Sequence, residues 1–110
     1  MKNILYILLF ISSVGYSQTP ITDANFNAAI ADCLSTHPVT GLCVDSEYGP
    51  MPDWDVSNVT DMYSMFRNAT SFNQNLSGWN VSNVNECGQF NLATPQWILP
   101  KPNLDPSCLE

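Results

Sequence analysis

Basic side chains are scarce in this 110-residue chain: three lysines and arginines face ten aspartates and glutamates, for a formal net charge of -7. Such an acidic surface repels phosphate backbones, which argues against a nucleic-acid partner. There is one histidine, His37, and no two cysteines have the CxxC spacing. The sequence therefore predicts no metal site and no cofactor.

Long apolar runs are also absent, since the longest, Ile4–Ile11, is far shorter than the roughly 20 residues that span a bilayer. Lys2 precedes this run, and the small and polar residues Ser12–Ser17 follow it. This order is typical of a secretory signal peptide, predicted here to cover residues 1–17. We expect an exported protein, secreted or held at the cell surface, with no membrane span after cleavage.

An even number of cysteines in a short exported chain indicates a disulfide framework. The four are Cys33, Cys43, Cys87 and Cys108. Four cysteines allow three connectivities, which sequence alone leaves open. Neighbour pairing, Cys33 with Cys43 and Cys87 with Cys108, is favoured because each pair brackets one non-repetitive end of the chain.

The middle of the chain contains an internal repeat. WDVSNVTDM (Trp54–Met62) recurs as WNVSNVNEC (Trp79–Cys87) at an offset of 25 positions. Farther on, MFRNAT (Met65–Thr70) recurs as QFNLAT (Gln89–Thr94) at an offset of 24, which predicts that one residue has been dropped. Periods of about 20–50 residues indicate units that bury their apolar faces against one another.

The first repeat unit shows two local patterns. The spacing of Met62, Met65, Phe66 and Ala69 predicts one face of a short helix. The run Asn73–Trp79 predicts a short strand that ends at a glycine turn. A strand and a helical segment within about 25 residues are typical of a leucine-rich repeat.

The segment Trp54 to about Thr94 resembles the BspA-like leucine-rich repeat family of bacterial surface proteins, whose unit reads W-D-V-S-N-V-T-x-M-x-x-M-F. The resemblance implies an α/β fold, a short right-handed leucine-rich-repeat solenoid at a cell surface or outside the cell. It also implies adhesion or protein binding, and it supplies no catalytic residues. We therefore expect a chain that is not an enzyme.

The non-repetitive ends are predicted to cap the solenoid. We expect four parts: signal peptide 1–17, N-terminal cap 18–53, two repeats 54–94 and C-terminal cap 95–110. Apolar residues at helical spacing predict an amphipathic helix over about 23–34, with Thr22 or Asp23 as its N-cap. Four prolines exclude a regular helix from the C-terminal cap, which the Cys87–Cys108 bridge would hold in place.

Three aromatic residues are candidates for a binding surface: Trp54, Tyr63 and Trp79. Aromatic side chains at one position of successive repeats could form an exposed strip. The favoured alternative for the two tryptophans is a stacked ladder inside the core. An exposed strip would indicate binding, whereas burial of both indoles would favour a structural role.

Other polar motifs have ordinary explanations. Asp53 and Asp55, with Asp45 and Glu47 nearby, could hold calcium, but no glycine-centred calcium loop accompanies them and solvated turns are favoured. Four N-x-S/T sequons could carry glycans, although hydrogen bonds to turn backbone are the favoured role; they begin at Asn58, Asn68, Asn75 and Asn80.

These observations favour a secreted or cell-surface module that binds an extracellular protein or a glycan without catalysis. The alternative is a purely structural or vestigial short repeat protein that has no ligand of its own.

Overall fold

The computed structural model describes residues 19–110, and the predicted signal peptide 1–17 lies outside them. Helical structure within this part is limited to one α-helix and two short 3₁₀ helices. The α-helix, α1, is Phe26–Thr36, and the 3₁₀ helices are Met51–Asp53 and Pro106–Cys108. Two isolated parallel bridges join Thr22 to Asn58 and Asp61 to Glu86. The other described residues form turns and irregular segments.

The predicted α/β leucine-rich-repeat solenoid is wrong. Residues 19–110 hold a single α-helix and no sheet, so neither the strand layer nor the helix layer of such a solenoid is present. The described chain is instead a small globule built from turns and held by two disulfides.

Backbone conformation explains why the repeat forms neither predicted element. Ser64 and Asn68 have φ angles of 56° and 66°, and such left-handed residues interrupt a right-handed helix. In the predicted strand, Asn75 accepts hydrogen bonds from the N–H and hydroxyl of Ser77, which bends the chain into a turn. Each unit is therefore a succession of tight turns.

The helix predicted over about 23–34 is observed as α1, three residues later at its start and two later at its end. Four of the five residues on the predicted apolar face are buried, namely Phe26, Ala29, Ile30 and Cys33, and the fifth, Leu34, is half-buried. Neither predicted N-cap is correct, because the helix follows Asn25 and no side chain caps it. The Asp23 carboxylate is engaged elsewhere, with the backbone of Thr60 and Asp61.

The two copies of the repeat, called unit 1 (residues 54–78) and unit 2 (residues 79–103), lie side by side. Alternate N–H groups of unit 1 donate to alternate carbonyl oxygens of unit 2 over N···O distances of 2.7–2.9 Å. The four pairs are Met62 with Glu86, Ser64 with Gly88, Phe66 with Phe90, and Asn68 with Leu92. The copies are thus joined by backbone hydrogen bonds without forming strands.

The structural register between the units is the same throughout, so the predicted loss of one residue is wrong. The positive φ angles of Ser64 and Asn68 recur at Gln89 and Ala93, each 25 positions later. In this register Asn91, which is 2% exposed, occupies the place of Phe66. The apparent offset of 24 arose because Phe66 and Phe90 are both core phenylalanines.

Aromatic rings fill the space between the units and the N-terminal segment. Trp54 and Trp79 stack with their ring centroids 6.3 Å apart and an interplanar angle of 10°. Both indole N–H groups are satisfied by carbonyl oxygens, those of Gly49 and Met51 respectively. Phe66 lies at the centre of the cluster, with the rings of Phe72, Phe90 and Trp97 within 5.2 Å of its own.

Both favoured disulfides are present: Cys33 is bonded to Cys43, and Cys87 to Cys108. The first ties α1 to the loop that follows it, and the second ties unit 2 to the C-terminal residues. Within residues 19–110 no helix has both the length and the apolar character needed to cross a lipid bilayer.

Candidate functional site

The three aromatic candidates do not share one surface. Trp54 and Trp79 are 3% and 4% exposed and form the stacked core pair, whereas Tyr63 is 48% exposed. The tryptophans therefore form the ladder rather than an exposed strip, and Tyr63 alone is available to a partner.

Tyr63 is held on the surface by a glycine in the neighbouring unit. A Cβ atom placed on Gly88 would come within 3.3 Å of two carbon atoms of the tyrosine ring. The ring thus rests against bare backbone, and any larger residue at position 88 would push it away. One side of the ring therefore packs against backbone, and the rest of the side chain faces solvent.

Three acidic residues from separate segments of the chain are neighbours on the surface beside Tyr63. We call Asp23, Asp61 and Glu86 the acidic row. Asp23 accepts hydrogen bonds from the Thr60 and Asp61 N–H groups at 2.9 and 3.2 Å. The parallel bridge then joins Asp61 to Glu86. All three residues are exposed, so the row is a line of negative charge on the surface.

Backbone N–H groups hold the side chains of the row in place. Asp61 accepts a hydrogen bond from the N–H of Tyr63 at 2.9 Å, and Glu86 accepts one from Gly88 at 3.2 Å. The hydroxyl of Thr60 donates to Asp23 over 2.6 Å, and this bond, followed by the one from the Thr60 N–H, lowers the pKa of Asp23 from its usual 3.8. Asp23 is therefore ionised at neutral pH.

A cavity of about 240 Å³ lies between the row and α1 and is lined by Asp23, Phe26, Asn27, Asp61, Tyr63 and Met65. Its walls combine two carboxylates with the tyrosine ring and two apolar side chains. Among residues 19–110, no three histidine, cysteine, aspartate or glutamate side chains lie close enough to hold a metal ion. The arrangement suits a cationic group with an apolar stem, such as a lysine or arginine side chain.

Three other polar side chains singled out from the sequence, His37, Asp55 and Glu47, have hydrogen-bond partners on the protein. The ring of His37 lies 2.9 Å from the hydroxyl of Thr36 on the surface. Asp55 accepts hydrogen bonds from Ser57, chiefly from its hydroxyl, which lowers the pKa of this carboxyl. Glu47 accepts a hydrogen bond from Thr19. These residues serve turns and the N-terminal segment.

Two of the four sequon asparagines make the hydrogen bonds expected of turn residues. Asn75 accepts from both the N–H and the hydroxyl of Ser77, and Asn80 accepts from the same groups of Ser82. The side chains of these asparagines are part of the turn structure.

All three members of the acidic row were missed as site residues. Glu86 stands 25 positions after Asp61 in the aligned repeats, so a shared acidic position was visible in the sequence. Asp23 lies outside the repeat and resembles a helix N-cap, and no sequence signal connects it to Asp61.

Comparison with known protein families gives one match. Residues 46–96 match a family described as Mycoplasma protein of unknown function, DUF285, which is associated with BspA-like surface repeat proteins. No curated protein and no solved structure matches the chain.

Proposed function

We propose that the protein is a BspA-like, non-catalytic binding module, secreted or displayed at the cell surface, that contacts a cationic protein through Tyr63 and the acidic row. The observation that carries the proposal is the exposed Tyr63 ring, packed against Gly88, beside three aligned carboxylates. The family match over residues 46–96 supports a role at a cell surface.

The chemistry of this surface favours a protein partner with exposed lysine or arginine side chains. Pinned carboxylates need little reorganisation to accept charge-assisted hydrogen bonds. The tyrosine ring can pack against the aliphatic stem of the same cation or accept its charge over the ring face. Excess negative charge across the chain would accelerate encounter with such a partner at low salt.

Direct binding to defined panels tests the proposal. The protein is immobilised and exposed to a panel of extracellular proteins and a panel of glycans at two salt concentrations. We expect binding of basic proteins that weakens as salt rises. Binding confined to uncharged glycans would contradict the choice of a cationic protein as partner.

Matched variants show whether affinity depends on the acidic row itself or only on the net negative charge of the protein. The pair Asp61→Asn and Glu86→Gln keeps the backbone hydrogen bonds but removes two charges, so we expect about a 10-fold loss of affinity. The control pair Asp45→Asn and Glu47→Gln removes the same charge elsewhere and should change affinity less than about 2-fold. Equal losses in the two pairs would show that only net charge matters.

The second candidate function is a structural protein without a ligand. Burial of the two indoles, Trp54 and Trp79, favours it because these aromatic residues serve the core. Absence of binding to both panels, with the protein folded as judged by circular dichroism, would decide for this alternative.

A further inference from the structure

Along the side of unit 2 that faces away from unit 1, a row of backbone N–H groups has no partners among the described residues. In unit 1, the N–H groups of Met62, Ser64, Phe66 and Asn68 donate to carbonyl oxygens of unit 2. The equivalent groups in unit 2 are those of Cys87, Gln89, Asn91 and Ala93. Among residues 19–110, the structure shows no acceptor for any of these four N–H groups. We call these four groups the donor edge.

The donor edge repeats the geometry of the row that joins the two units. The φ angles of Ser64 and Gln89 are 56° and 57°, and those of Asn68 and Ala93 are 66° and 63°. Because the backbone follows the same path, its N–H groups point in the same sense, away from unit 1. Unpaired backbone donors in regular succession are a template for another chain.

The C-terminal residues cover part of this edge. Cys108 is bonded to Cys87, and the N–H of Glu110 donates to the side-chain oxygen of Asn91 over 2.9 Å. Asn91 is 2% exposed, whereas Gln89 and Ala93 are exposed. A groove of about 460 Å³ separates the tail from the start of the edge near Gly88.

We propose that the donor edge binds one further unit of the same repeat pattern, supplied by another polypeptide, and that the tail 104–110 competes with it. The pattern itself carries the complementary groups. In unit 1, the carbonyl oxygens of Asp61, Tyr63, Met65 and Arg67 are equivalent to those that accept in unit 2, and no residue within 19–110 donates to them. The contact between the two units is therefore the template for the new one.

A second intact copy of this chain does not fit the donor edge. Two donor edges cannot pair, because each would offer only N–H groups. The acceptor side of unit 1 is occupied by α1, whose Phe26 and Asn27 line one cavity with Asp61 and whose Leu34 lines another with Arg67. A helix about 10 Å wide prevents another chain from reaching the roughly 4.8 Å spacing of paired backbones. The partner must carry a unit whose acceptor side is open.

Amide hydrogen exchange with a defined probe tests the proposal. The probe is a synthetic peptide with the sequence of residues 54–79, and a scrambled peptide of the same composition is the control. In the free protein, we expect the Gln89 and Ala93 amides to exchange about 100-fold faster than those of Ser64 and Asn68. The probe should slow exchange at Gln89 and Ala93, and the scrambled peptide should not.

Removal of the competing tail provides the second arm. Cys87→Ser with Cys108→Ser should bind the probe about 10-fold more tightly than the native protein. The matched pair Cys33→Ser with Cys43→Ser also removes one disulfide but leaves the tail in place, so its affinity should match the native value.

Three results would overturn the proposal: slow exchange of Gln89 and Ala93 in the free protein, no binding of the probe, or binding that leaves these two amides unprotected. The exchange arm uses the native protein, so it decides the question even if the double variant does not fold.

Discussion

Single side chains define the turn at which each unit begins. Asp55, Asn80 and Asp105 occupy equivalent positions of the repeat, and each accepts hydrogen bonds from the N–H and the hydroxyl of the serine two positions later. The third of these turns was not recognised from the sequence, because leucine and proline replace its tryptophan and valine. A small acceptor therefore sets the turn even where the apolar consensus is lost.

Asp55→Ala tests the contribution of one such turn. Loss of the two hydrogen bonds to Ser57 should lower the free energy of unfolding by about 1 kcal/mol, measured by urea denaturation. Asp45→Ala is the control, an exposed carboxylate for which the structure shows no hydrogen bond within residues 19–110. A loss as large in the control would mean that charge rather than turn geometry stabilises the fold.

The same carboxylates predict a pH dependence of stability. Hydrogen bonds from Thr60 and Ser57 lower the pKa values of Asp23 and Asp55 in the folded protein. A lowered folded pKa contributes stability above the usual value of 3.8 that is lost as pH falls through the folded value. We expect a Tm that is constant from about pH 7 to 5 and falls below about pH 4. The double variant Asp23→Asn with Asp55→Asn should show a smaller decrease in Tm at low pH. An unchanged dependence of Tm on pH would contradict the role of these two carboxylates.

At the scale of elements, apolar spacing identified the buried residues of the repeat but not their conformation. Met62 and Phe66 are fully buried, as the predicted helix face required. Apolar residues at three- and four-residue intervals also fit a chain of tight turns, and only the left-handed angles at Ser64 and Asn68 distinguish the two. Serine and asparagine are turn-forming residues, but both also occur in helices, and the apolar spacing favoured the helix.

α1 was predictable because its signal is long and amphipathic, whereas the register of the repeat was not. Residue identity aligned Phe66 with Phe90, but backbone hydrogen bonds place Asn91 in the position of Phe66. Similar residues in two repeats show that both side chains reach the core. They do not show that the residues are structurally equivalent, because phenylalanines at neighbouring repeat positions can fill the same part of the core.

Ala93→Gly tests the left-handed turns. An alanine at a φ of 63° is strained, so glycine should raise the free energy of unfolding by about 0.5 kcal/mol. Ala28→Gly, at an exposed position within α1, should lower it by about 1 kcal/mol. Both values come from chemical denaturation, and a decrease at position 93 would contradict the assigned backbone angle.

At the scale of the whole molecule, the disulfides were predicted and the candidate site only in part. Neighbour pairing followed from the position of each cysteine pair around a non-repetitive end, and both bridges are formed. Tyr63 was recognised as an aromatic candidate, but Asp23 joins it only through tertiary packing. Contacts between the N-terminal segment and the repeat have no period, so the sequence could not place them.

The two bridges should differ in their contribution to stability. They close loops of 10 and 21 residues, for which chain entropy predicts about 2.7 and 3.3 kcal/mol. We expect Cys87→Ser with Cys108→Ser to lower the midpoint of urea unfolding at least as much as Cys33→Ser with Cys43→Ser. An unchanged midpoint for the first pair would show that the tail does not depend on its bridge.

The constant register between the two units restricts which genetic changes the repeat can accept. Insertion or deletion of one residue within Met62–Asn68 or Glu86–Leu92 would move the N–H groups beyond it out of line with their carbonyl oxygens and turn core side chains toward solvent. Substitutions face no such penalty at exposed positions, and the loop between Cys43 and Met51 lies outside the register. The repeat is therefore expected to vary in residue identity while its length is conserved, and length changes should collect in that loop.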